Sequence, residues 1–419
     1  MRREEIAIIG GGQAGLALSY HLTQRSRSHV VLEQARTLES WRTKRWDSLR
    51  LIAPNWTLIM PDYAYPGDDP DGFMGKEEVV DRLIGYAASF GAPVQEGVRV
   101  TRVARDSTDS AFVLETSDSQ IQADQVVLAT GSLQRPNLPP YAGAIPDSIS
   151  QLPGSTYRNP GALAPGRVLI VGSGETGAQI SEELARAGRV VYLSGGRSWW
   201  SPRRYRGRDV TYWMRPLGWF ERRVDELPPG VRAGLPNPQL TGADGGHDIS
   251  PHSLASQGVR LLGRLRGIEA GVAHFDSDLR ENLAWADDLA AKRLEAIDDL
   301  IDSEHLDAPV TEWPVELTPT ATRSATAAEE QAARPTTSLD LGRAGIGAVI
   351  WAAGYRPDLD WVRLPFLDGD GYPVQRRGVT NVPGLSIIGL DWLHNAKSGL
   401  FAGVGDDAGF LAEAITAPS

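Results

Sequence analysis

Two copies of one pattern constrain the fold of this chain more than any other feature: GGGQAG begins at residue 10 and GSGETG begins at residue 172. An apolar run precedes each copy, and an amphipathic helical pattern follows each one. A further apolar run then follows each helical pattern, at residues 29–32 and 190–193. A strand, a glycine-rich turn, a helix and a second strand make a βαβ unit, so the sequence predicts an α/β fold that contains two such units.

The spacing of the glycines, G-x-G-x-x-G, has a specific physical use. The first glycine permits a tight turn, the second lets the backbone approach a pyrophosphate, and the third allows the helix to pack closely on the strand. The N-terminus of the helix offers free N–H groups and partial positive charge to the phosphates. Both units are therefore predicted to be Rossmann-like dinucleotide-binding domains, built on Gly10, Gly12, Gly15, Gly172, Gly174 and Gly177.

The residue after the second strand of each unit distinguishes the two sites. In the first unit it is Glu33, whose carboxylate suits the ribose hydroxyls of FAD or NAD and repels a 2′-phosphate. In the second unit it is Ser194, and Arg197 and further arginines follow closely. The missing carboxylate and the nearby cations favour NADPH, although Arg206 and Arg208 are more typical of a solvated face.

Apolar runs that end in glycine recur later in the chain, and a proline-rich stretch at 135–140 is typical of a hinge. We therefore expect the second dinucleotide domain to be inserted into the first. The predicted division is 1–140 plus 345–419 for the first domain, 155–344 for the second, and about 199–340 for a lid or substrate insertion within the second.

Within this insertion, apolar patterns predict a strand pair at 259–265 and 272–275 and a helix over 278–305. Residues 309–338 are rich in Pro, Thr and Ala, which predicts an extended connection over the surface. Part of 199–255 is expected to act as a substrate lid. This segment contains Trp199, Trp200, Trp213 and Trp219, which either line an aromatic pocket or pack the core of the lid itself.

Composition narrows the chemistry further. The chain of 419 residues contains no cysteine, which excludes disulfides, thiolate metal sites, cysteine nucleophiles and dithiol redox mechanisms. The net charge of −11 opposes binding to nucleic acid or to an anionic membrane. Without a targeting segment or a long apolar run, a cytoplasmic location is expected. His247 and His252 lack the third ligand that a metal site needs, so no metal is predicted.

The two glycine motifs, Ala129-Thr130-Gly131 and the WAAGY run at 351–355 together resemble the class B flavoprotein monooxygenases. This family includes flavin-containing monooxygenases, YUCCA enzymes and Baeyer–Villiger monooxygenases. The resemblance implies that the first domain binds FAD and the second, inserted domain binds NADPH. It also implies that a C4a-(hydro)peroxyflavin oxygenates a small organic substrate with dioxygen, by N- or S-oxygenation, Baeyer–Villiger insertion or a related oxidation.

Residues matching the family's motifs are predicted to bind the two cofactors. For NADPH these are Gly172, Gly174, Glu175, Thr176, Gly177, Ser194 and Arg197. For FAD and its surroundings they are Gly10, Gly12, Gln13, Ala14, Gly15, Glu33, Gln34, Trp41, Arg42, Trp46, Asp47, Ala129, Thr130, Gly131, Ala353, Gly354, Tyr355, Gly389 and Asp391.

Three residues are candidates for catalytic roles. Asn55 falls on the active-site asparagine of the family, although an asparagine after a proline is equally typical of a structural turn. His394 and Lys397 lie between the last strand and the last helix, where loop residues of an α/β fold commonly contact ligands.

One departure from the family keeps other functions open. The fingerprint F-x-G-x-x-x-H-x-x-x-Y aligns with residues 147–157, where only Tyr157 matches and Pro153 replaces the histidine. Proline has no titratable ring and no N–H. An NADPH-dependent flavin reductase or oxidase without oxygen insertion is therefore the alternative, and a nucleotide-binding redox sensor without turnover is a third hypothesis.

Overall fold

The computed structural model describes residues 2–106, 111–227, 238–318 and 324–417. Part of the predicted lid, at 228–237, and part of the predicted extended connection, at 319–323, lie outside these ranges.

In chain order, the strands of the described residues are β1 (Arg2–Ile9), β2 (His29–Leu32), β3 (Val94–Gln95), β4 (Val100–Arg105), β5 (Phe112–Thr116), β6 (Gln120–Leu128), β7 (Arg135–Pro136), β8 (Ser150–Pro153), β9 (Arg167–Val171), β10 (Val191–Ser194), β11 (Arg204–Tyr205), β12 (Arg208–Asp209), β13 (Arg260–Leu262), β14 (Leu265–Glu269), β15 (Val272–Phe275), β16 (Ser338–Asp340), β17 (Ile346–Trp351), β18 (Tyr355–Arg356), β19 (Gln375–Arg376), β20 (Val379–Thr380) and β21 (Leu385–Ile387). The α-helices are α1 (Gln13–Gln24), α2 (Glu39–Thr43), α3 (Lys76–Ser89), α4 (Glu175–Arg186), α5 (Val210–Met214), α6 (Pro251–Ser256), α7 (Leu279–Ser303), α8 (Ala327–Ala333) and α9 (Phe401–Thr416).

The larger sheet has the order β19-β20-β21-β6-β1-β2-β3, and β4 and β5 are attached beside β6. Its centre is parallel: β1 lies between β6 and β2, and Ile8 is opposite Val127 and Val31. Both faces of β1 are buried because alternate residues enter different cores. Ile6 and Ile8 pack with helices α1 and α9, whereas Ala7 and Ile9 pack on the opposite side.

The smaller sheet is parallel throughout, with the order β13-β10-β9-β17-β8. Ile170 packs with residues of α4 on one face, and Leu169 and Val171 belong to the core on the other face. The predicted α/β fold with two Rossmann-like units is confirmed. Each predicted glycine turn joins the central strand of one sheet to the helix that covers that sheet.

The strand order also shows how one unit is inserted into the other. All strands of the smaller sheet lie in the chain between β6 and β19 of the larger one. Where the chain passes between the sheets in each direction, β7 and β18 pair antiparallel, with Tyr355 opposite Pro136. The predicted boundary at 345 lies too early in the chain. Strand β17 pairs with β9 and β8 of the smaller sheet, so the chain returns to the larger sheet only after Trp351. A continuous apolar run does not reveal which of two parallel sheets it will join.

The insertion differs from its predicted pattern in two places. The predicted strand 259–265 is two strands: β13 extends the smaller sheet, whereas β14 pairs antiparallel with β15. Gly263 separates them at a point where a Cβ would lie 2.0 Å from the carbonyl oxygen of Asp276. The predicted extended connection contains α8, whose first turn is capped reciprocally by Thr326 and Glu329. The T-x-x-E spacing of a capping box was the available sequence signal. The predicted helix 278–305 is confirmed as α7.

Candidate active site

Both glycine-rich turns face a single cleft of about 1250 Å³. Its volume exceeds the roughly 300–1,000 Å³ that is typical of a site for one drug-sized ligand. Its walls come from both sheets and from the insertion. Predicted cofactor residues that line it are Gly10, Gly12, Gln13, Ala14, Glu33, Gln34, Trp41, Trp46, Ala129, Thr130, Gly131, Gly174, Glu175, Thr176, Gly354, Tyr355, Gly389 and Asp391.

The three glycines of the first turn have separate roles. Gly10 has φ +119°, and a Cβ on it would lie 2.4 Å from the carbonyl oxygen of Ala129. A Cβ on Gly15 would lie 2.0 Å from the carbonyl oxygen of Gly10, so Gly15 sets the close approach of α1 to β1. Gly12 precedes α1 and lines the cleft, and apart from its own chain neighbours no described residue comes within 4 Å of a Cβ built on it. This open position at a helix N-terminus fits a pyrophosphate.

Glu33 is held at the edge of the cleft by backbone donors. Its carboxylate accepts hydrogen bonds from the N–H of Gly11 at 2.7 Å and from the N–H of Ala35 at 3.2 Å. The side chain is buried and lines the cleft just beyond β2. A carboxylate fixed in this position suits ribose hydroxyls, so the first site fits the adenosine and pyrophosphate of FAD.

An aromatic wall follows the first turn. The indole N–H of Trp41 donates to the amide oxygen of Gln13 at 3.3 Å, and its ring stacks on Phe401 with centroids 5.6 Å apart. The guanidinium of Arg45 lies 5.0 Å from the Trp41 ring centroid, and burial lowers its pKa. All four side chains belong to residues that line the cleft. They give this part of the cleft a flat surface of aromatic and amide groups beside a cation.

Asp391 lies in the turn after β21 and is exposed within the cleft. The surrounding protein desolvates its carboxyl group and raises the pKa, and a hydrogen bond from the Ser132 hydroxyl at 2.9 Å opposes that rise. Gly389, two residues earlier, has φ +79°, and a Cβ there would lie 2.5 Å from the Cβ of Ala14. The turn therefore passes directly over the N-terminus of α1.

Arg42 and Asp47 were also predicted at this site, but the structure does not place them on the cleft wall. The carboxylate of Asp47 accepts hydrogen bonds from the Nζ of Lys76 at 3.1 Å and from the side-chain amide of Asn159 at 2.7 Å. Both contacts lower the pKa of Asp47, with the Asn159 contact the larger cause. Asp47 thereby joins the first unit to the segment that precedes β9.

The second turn repeats the geometry of the first. Gly172 has φ +112°, and its Cβ would lie 2.3 Å from the carbonyl oxygen of Ala352. The Cβ of Gly177 would lie 1.8 Å from the carbonyl oxygen of Gly172, whereas Gly174 has open space around it. Gly174, Glu175 and Thr176 line the cleft at the start of α4. Three other residues predicted to bind NADPH or to lie near the flavin do not line the cleft: Gly172, Gly177 and Ala353.

The structure divides the predicted arginine cluster beside the second turn. Arg203 and Arg206 form ion pairs with Asp209 and Asp298 inside the insertion. Arg197 remains exposed, and its guanidinium lies 5.7 Å from the Trp285 ring centroid.

Ser194 and Arg264 complete the surroundings of this turn. The buried hydroxyl of Ser194 donates to the carbonyl oxygen of Gly263 at 2.7 Å and is thus committed to the backbone. Arg264, which sequence reasoning missed, approaches within 4.0 Å of a Cβ built on Gly196. Two exposed cations, Arg197 and Arg264, therefore flank the turn after β10, where a 2′-phosphate would lie.

The three candidate catalytic residues do not line the cleft. Asn55 is buried; its amide nitrogen donates to the carbonyl oxygen of Asp69 at 2.9 Å, and its amide oxygen accepts from the N–H of Met74 at 2.8 Å. Both polar groups are thus used by the fold, which favours the structural turn. The catalytic role of Asn55 stays a prediction without geometric support.

His394 and Lys397 lie in the loop that follows β21. Desolvation is the largest cause of the lowered pKa of His394. The Nζ of Lys397 contacts Asp406 at 2.8 Å and Glu221 at 3.1 Å. Burial lowers the pKa of Lys397, but these carboxylates outweigh it and raise the pKa overall. Lys397 thus connects α9 to the insertion.

The insertion forms the remaining wall of the cleft with largely apolar side chains. They are Thr211, Met214, Trp219, Phe220, Pro238 and Leu240. Of the four tryptophans, Trp219 lines the cleft, whereas Trp199, Trp200 and Trp213 are buried in cores that include α7 residues. Trp219 therefore fits the interpretation that these tryptophans line a pocket. The other three fit the interpretation that they pack the core of the insertion.

The histidines of the insertion connect its elements. The Nε2 of His247 lies 2.8 Å from a carboxylate oxygen of Glu182, and that of His252 lies 3.1 Å from both carboxylate oxygens of Asp287. No group of three or more potential metal ligands occurs within the described ranges.

Among the residues that the structure describes, no helix is both long enough and apolar enough to cross a bilayer.

With this geometry established, the family can be identified from sequence. The family model described as pyridine nucleotide-disulphide oxidoreductase matches residues 7–230, which contain both glycine-rich turns. The chain belongs to this family. The word disulphide in that description does not apply to a disulfide of this chain, because the chain contains no cysteine.

Two relatives show how far the similarity extends. The chain is 29% identical to an uncharacterized CzcO-like oxidoreductase of Geobacillus kaustophilus over 97% of both chains. It is 30% identical to indole-3-pyruvate monooxygenase YUCCA1 of Oryza sativa subsp. japonica, over 43% of this chain and 45% of the relative.

Solved structures agree on the fold. A flavin-containing monooxygenase from Stenotrophomonas maltophilia has a TM-score of 0.67 at 19% identity and covers 99% of both chains. The structure of OTEMO in complex with FAD and NADP has a TM-score of 0.54 at 16% identity, over 98% of this chain and 84% of that one. The resemblance to class B flavoprotein monooxygenases is confirmed, and so is the prediction of a flavin-dependent oxidoreductase.

Proposed function

We propose that this protein is an FAD-containing, NADPH-dependent monooxygenase that acts on a small organic substrate. The observation that carries the proposal is the single cleft, which joins both dinucleotide turns to an apolar wall supplied by the insertion. A third compound can therefore meet both cofactors in one cavity. The names of the YUCCA relative and of the Stenotrophomonas structure support oxygenation as the reaction class.

The residues present fit both cofactors. FAD would be held at Gly12 and the N-terminus of α1, with its ribose at Glu33. NADPH would be held at Gly174 and the N-terminus of α4, with its 2′-phosphate near Arg197 and Arg264. When bound, NADPH supplies the hydride that reduces FAD, and reduced FAD supplies the electrons that activate dioxygen.

The chain itself contributes orientation and exclusion of water. Gln179 of α4 donates from its side-chain amide to the carbonyl oxygen of Leu240 at 2.6 Å, and both residues line the cleft. This bond holds the apolar wall of the insertion against the NADPH unit. A rigid apolar wall keeps water from a reactive oxygen species and presents the substrate in a restricted range of orientations.

A flavin reductase or oxidase is the second candidate, and two observations favour it. Pro153, at the position of the family histidine, lies in β8 opposite Trp351 of β17. Asn55, the candidate hydrogen-bond partner for activated oxygen, is engaged by the backbone. If neither residue contributes to the reacting centre, the chain would hold FAD and NADPH for hydride transfer without the two groups that the family places there for oxygen insertion.

The decisive experiment measures where the oxygen goes. The purified protein should show an oxidised flavin spectrum that NADPH bleaches under anaerobic conditions. Turnover is then measured with ¹⁸O₂ on a panel of amines, thioethers, ketones and 2-oxo acids, with peroxide determined in parallel. One labelled oxygen atom in the product, with little peroxide, supports the monooxygenase. Stoichiometric peroxide with every compound supports the oxidase, and binding without bleaching supports a sensor.

A further inference from the structure

The insertion meets the loop after β21 at the surface of the protein, beside the cleft. Phe220 of the insertion lines the cleft, and so does Ala396 on the opposite side of this contact. Residues 221–223, which directly follow Phe220, are exposed. The chain thus passes from the cleft wall to the molecular surface within one residue, so the wall is thin at this point. We call residues 220–226 the strap.

Two backbone hydrogen bonds pair the strap with the loop. The N–H of Val224 donates to the carbonyl oxygen of His394 at 2.9 Å. The N–H of Ala396 donates to the carbonyl oxygen of Arg222, also at 2.9 Å. These are the two bonds of a short antiparallel bridge, which stands outside both sheets and is not extended by further strand pairing.

One ion pair adds to these two bonds. The carboxylate of Glu221 lies 3.1 Å from the Nζ of Lys397, and the Glu221 side chain is 58% exposed. An exposed ion pair contributes little to stability. Lys397 also has a second partner, Asp406 of α9, at 2.8 Å. The loop can therefore release the strap without leaving the charge of Lys397 unpaired.

Burial differs between the two sides of the contact. On the insertion side, every residue from 215 to 227 is at least partly exposed. On the other side, Leu393 and Ser398 are buried and anchor the loop at both ends. A segment that buries few apolar groups and makes exposed hydrogen bonds is one that opens at low cost in free energy. The strap is thus the part that can move, and the loop is the part that stays in place.

We propose that the strap is a gate, which separates from the loop 394–397 to admit a small organic substrate to the apolar wall of the cleft and then closes again. This inference rests on the proposed function, since it concerns access to the same cleft. It also gives the predicted lid, part of 199–255, a defined location. FAD and NADPH would fill the cleft beside the two glycine-rich turns, so a third compound needs its own entrance. Closure of the strap then keeps water from the reacting centre.

A disulfide across the bridge would lock the gate. Arg223 and Asn395 lie opposite each other, with one of the two backbone hydrogen bonds on either side of them. The Cα atoms of such a non-hydrogen-bonded pair are about 4.5 Å apart, which is within the range of a disulfide. Because the chain contains no cysteine, the variant Arg223→Cys/Asn395→Cys can form only this bond within one molecule.

The first experiment compares the locked and unlocked forms of this variant. The holoenzyme, saturated with NADP⁺, is mixed with methyl phenyl sulfide in a stopped-flow instrument, and binding is followed by the change in flavin absorbance. The oxidised variant is expected to bind the sulfide at least about tenfold more slowly than the same protein reduced with a phosphine. The two forms should contain the same amount of FAD. The single variant Arg223→Cys, given the same oxidant, should bind at the wild-type rate.

Two results of this experiment would overturn the proposal. One is an equal binding rate in the locked and reduced forms, because the sulfide would then enter by another route. The other is a wild type that does not bind the sulfide at millimolar concentration, because an open gate would admit a compound of this size.

Hydrogen exchange tests the opening itself, without any ligand. Opening exposes the N–H groups of Val224 and Ala396 together, so peptides covering 220–227 and 394–400 should exchange at similar rates and faster than a peptide covering β17. Glu221→Gln removes the ion pair and should speed the exchange of both peptides about two- to fivefold.

Asp406→Asn is the matched control for Glu221→Gln, since it removes the other partner of the same lysine, which does not belong to the strap. It should not speed the exchange of either peptide. Exchange of both peptides as slow as that of β17 in the wild type would contradict the proposal. Equal acceleration by Glu221→Gln and Asp406→Asn would do the same.

The outcome is distinguishable from that of the proposed function. Both measurements use the oxidised enzyme, which does not turn over. If the disulfide slows entry but every turnover ends as peroxide, the gate stands and oxygen insertion fails. If labelled oxygen reaches the product at the same rate in the locked and reduced forms, the monooxygenase stands and the gate fails.

Discussion

The substitution Asp209→Asn should destabilise the insertion far more than a change of one formal charge on the surface. Asp209 is 7% exposed and Arg203 is 1% exposed, and two hydrogen bonds of 2.7 Å join their side chains. Burial lowers the pKa of Arg203, and the charge of Asp209 opposes that effect. Removing the carboxylate therefore leaves a cation in the interior without its counter-ion.

The magnitude follows from what asparagine retains and what it loses. Asp209 also caps α5, since a carboxylate oxygen accepts from the N–H of Thr211 at 2.8 Å. Asparagine is as good a cap as aspartate, so this contribution is kept. Its amide NH₂ group cannot accept from the second guanidinium donor, and the charge is lost. Breaking one partner of a buried ion pair costs about 3–5 kcal/mol, and we expect the lower end of that range.

Urea unfolding followed by tryptophan fluorescence measures the effect. With a denaturant slope of about 3 kcal/mol per molar, a loss of about 3 kcal/mol lowers the midpoint by about 1 M. The matched control is Asp288→Asn, the same substitution in an exposed pair with Lys292 on α7 of the same insertion. An exposed pair of this kind is worth under about 0.5 kcal/mol.

A second substitution tests the reason for the loss. In the Asp209→Asn background, Arg203→Met removes the uncompensated charge and should recover part of the lost stability. Equal midpoints for Asp209→Asn and Asp288→Asn would refute the reasoning. So would a further loss on adding Arg203→Met, since the damage would then come from packing and not from an unpaired charge.

Four other outcomes are expected. Gly174→Ala should leave thermal stability within about 1 kcal/mol, because that position is open at φ −68°, yet it should weaken NADPH binding. Gly172→Ala, at φ +112° and 2.3 Å from a carbonyl oxygen, should cost about 2 kcal/mol or more in the same thermal scan. Arg197→Ala and Arg264→Ala should each raise the KM for NADPH about tenfold with little effect on NADH, since a charge-assisted phosphate contact is worth about 1.5 kcal/mol or more; equal effects on both nucleotides would exclude a phosphate role. Asp391→Asn should stabilise the flavin-free protein at neutral pH, because desolvation raises the pKa of this carboxyl and its charged form is penalised in the folded state. That gain should fade as the pH falls through the raised pKa toward the unfolded value of about 3.9, and a gain independent of pH would contradict the cause.

The two dinucleotide units could be predicted from the sequence because local steric rules determine them. Gly10 and Gly172 have backbone conformations that other residues rarely adopt, and Gly15 and Gly177 lie against a carbonyl oxygen. Such requirements leave glycines at set intervals between an apolar strand and a helix. The resemblance to flavin monooxygenases depended on these same local motifs.

The contacts of the catalytic candidates could not be predicted from these local steric rules. Asn55 matched a motif position, but its amide is used by the backbone at Asp69 and Met74. Lys397 was a catalytic candidate because of its position between the last strand and the last helix, but it contacts carboxylates of α9 and of the insertion. A motif specifies the residue type, whereas the direction of a side chain depends on partners that are distant in the chain.

The sequence by itself determined that this protein has two Rossmann-like units and that any redox chemistry proceeds without a cysteine of the chain. Only the tertiary structure decided which strands close each sheet, that both glycine-rich turns open into one cleft, and which arginines pair with a carboxylate among the residues that the structure describes. Arg203 and Arg293 are the same residue type in the same insertion, yet one meets a carboxylate and the other meets two tryptophans. The free energy of a buried charge depends on the groups that surround it in space, and the order of residues along the chain does not reveal them.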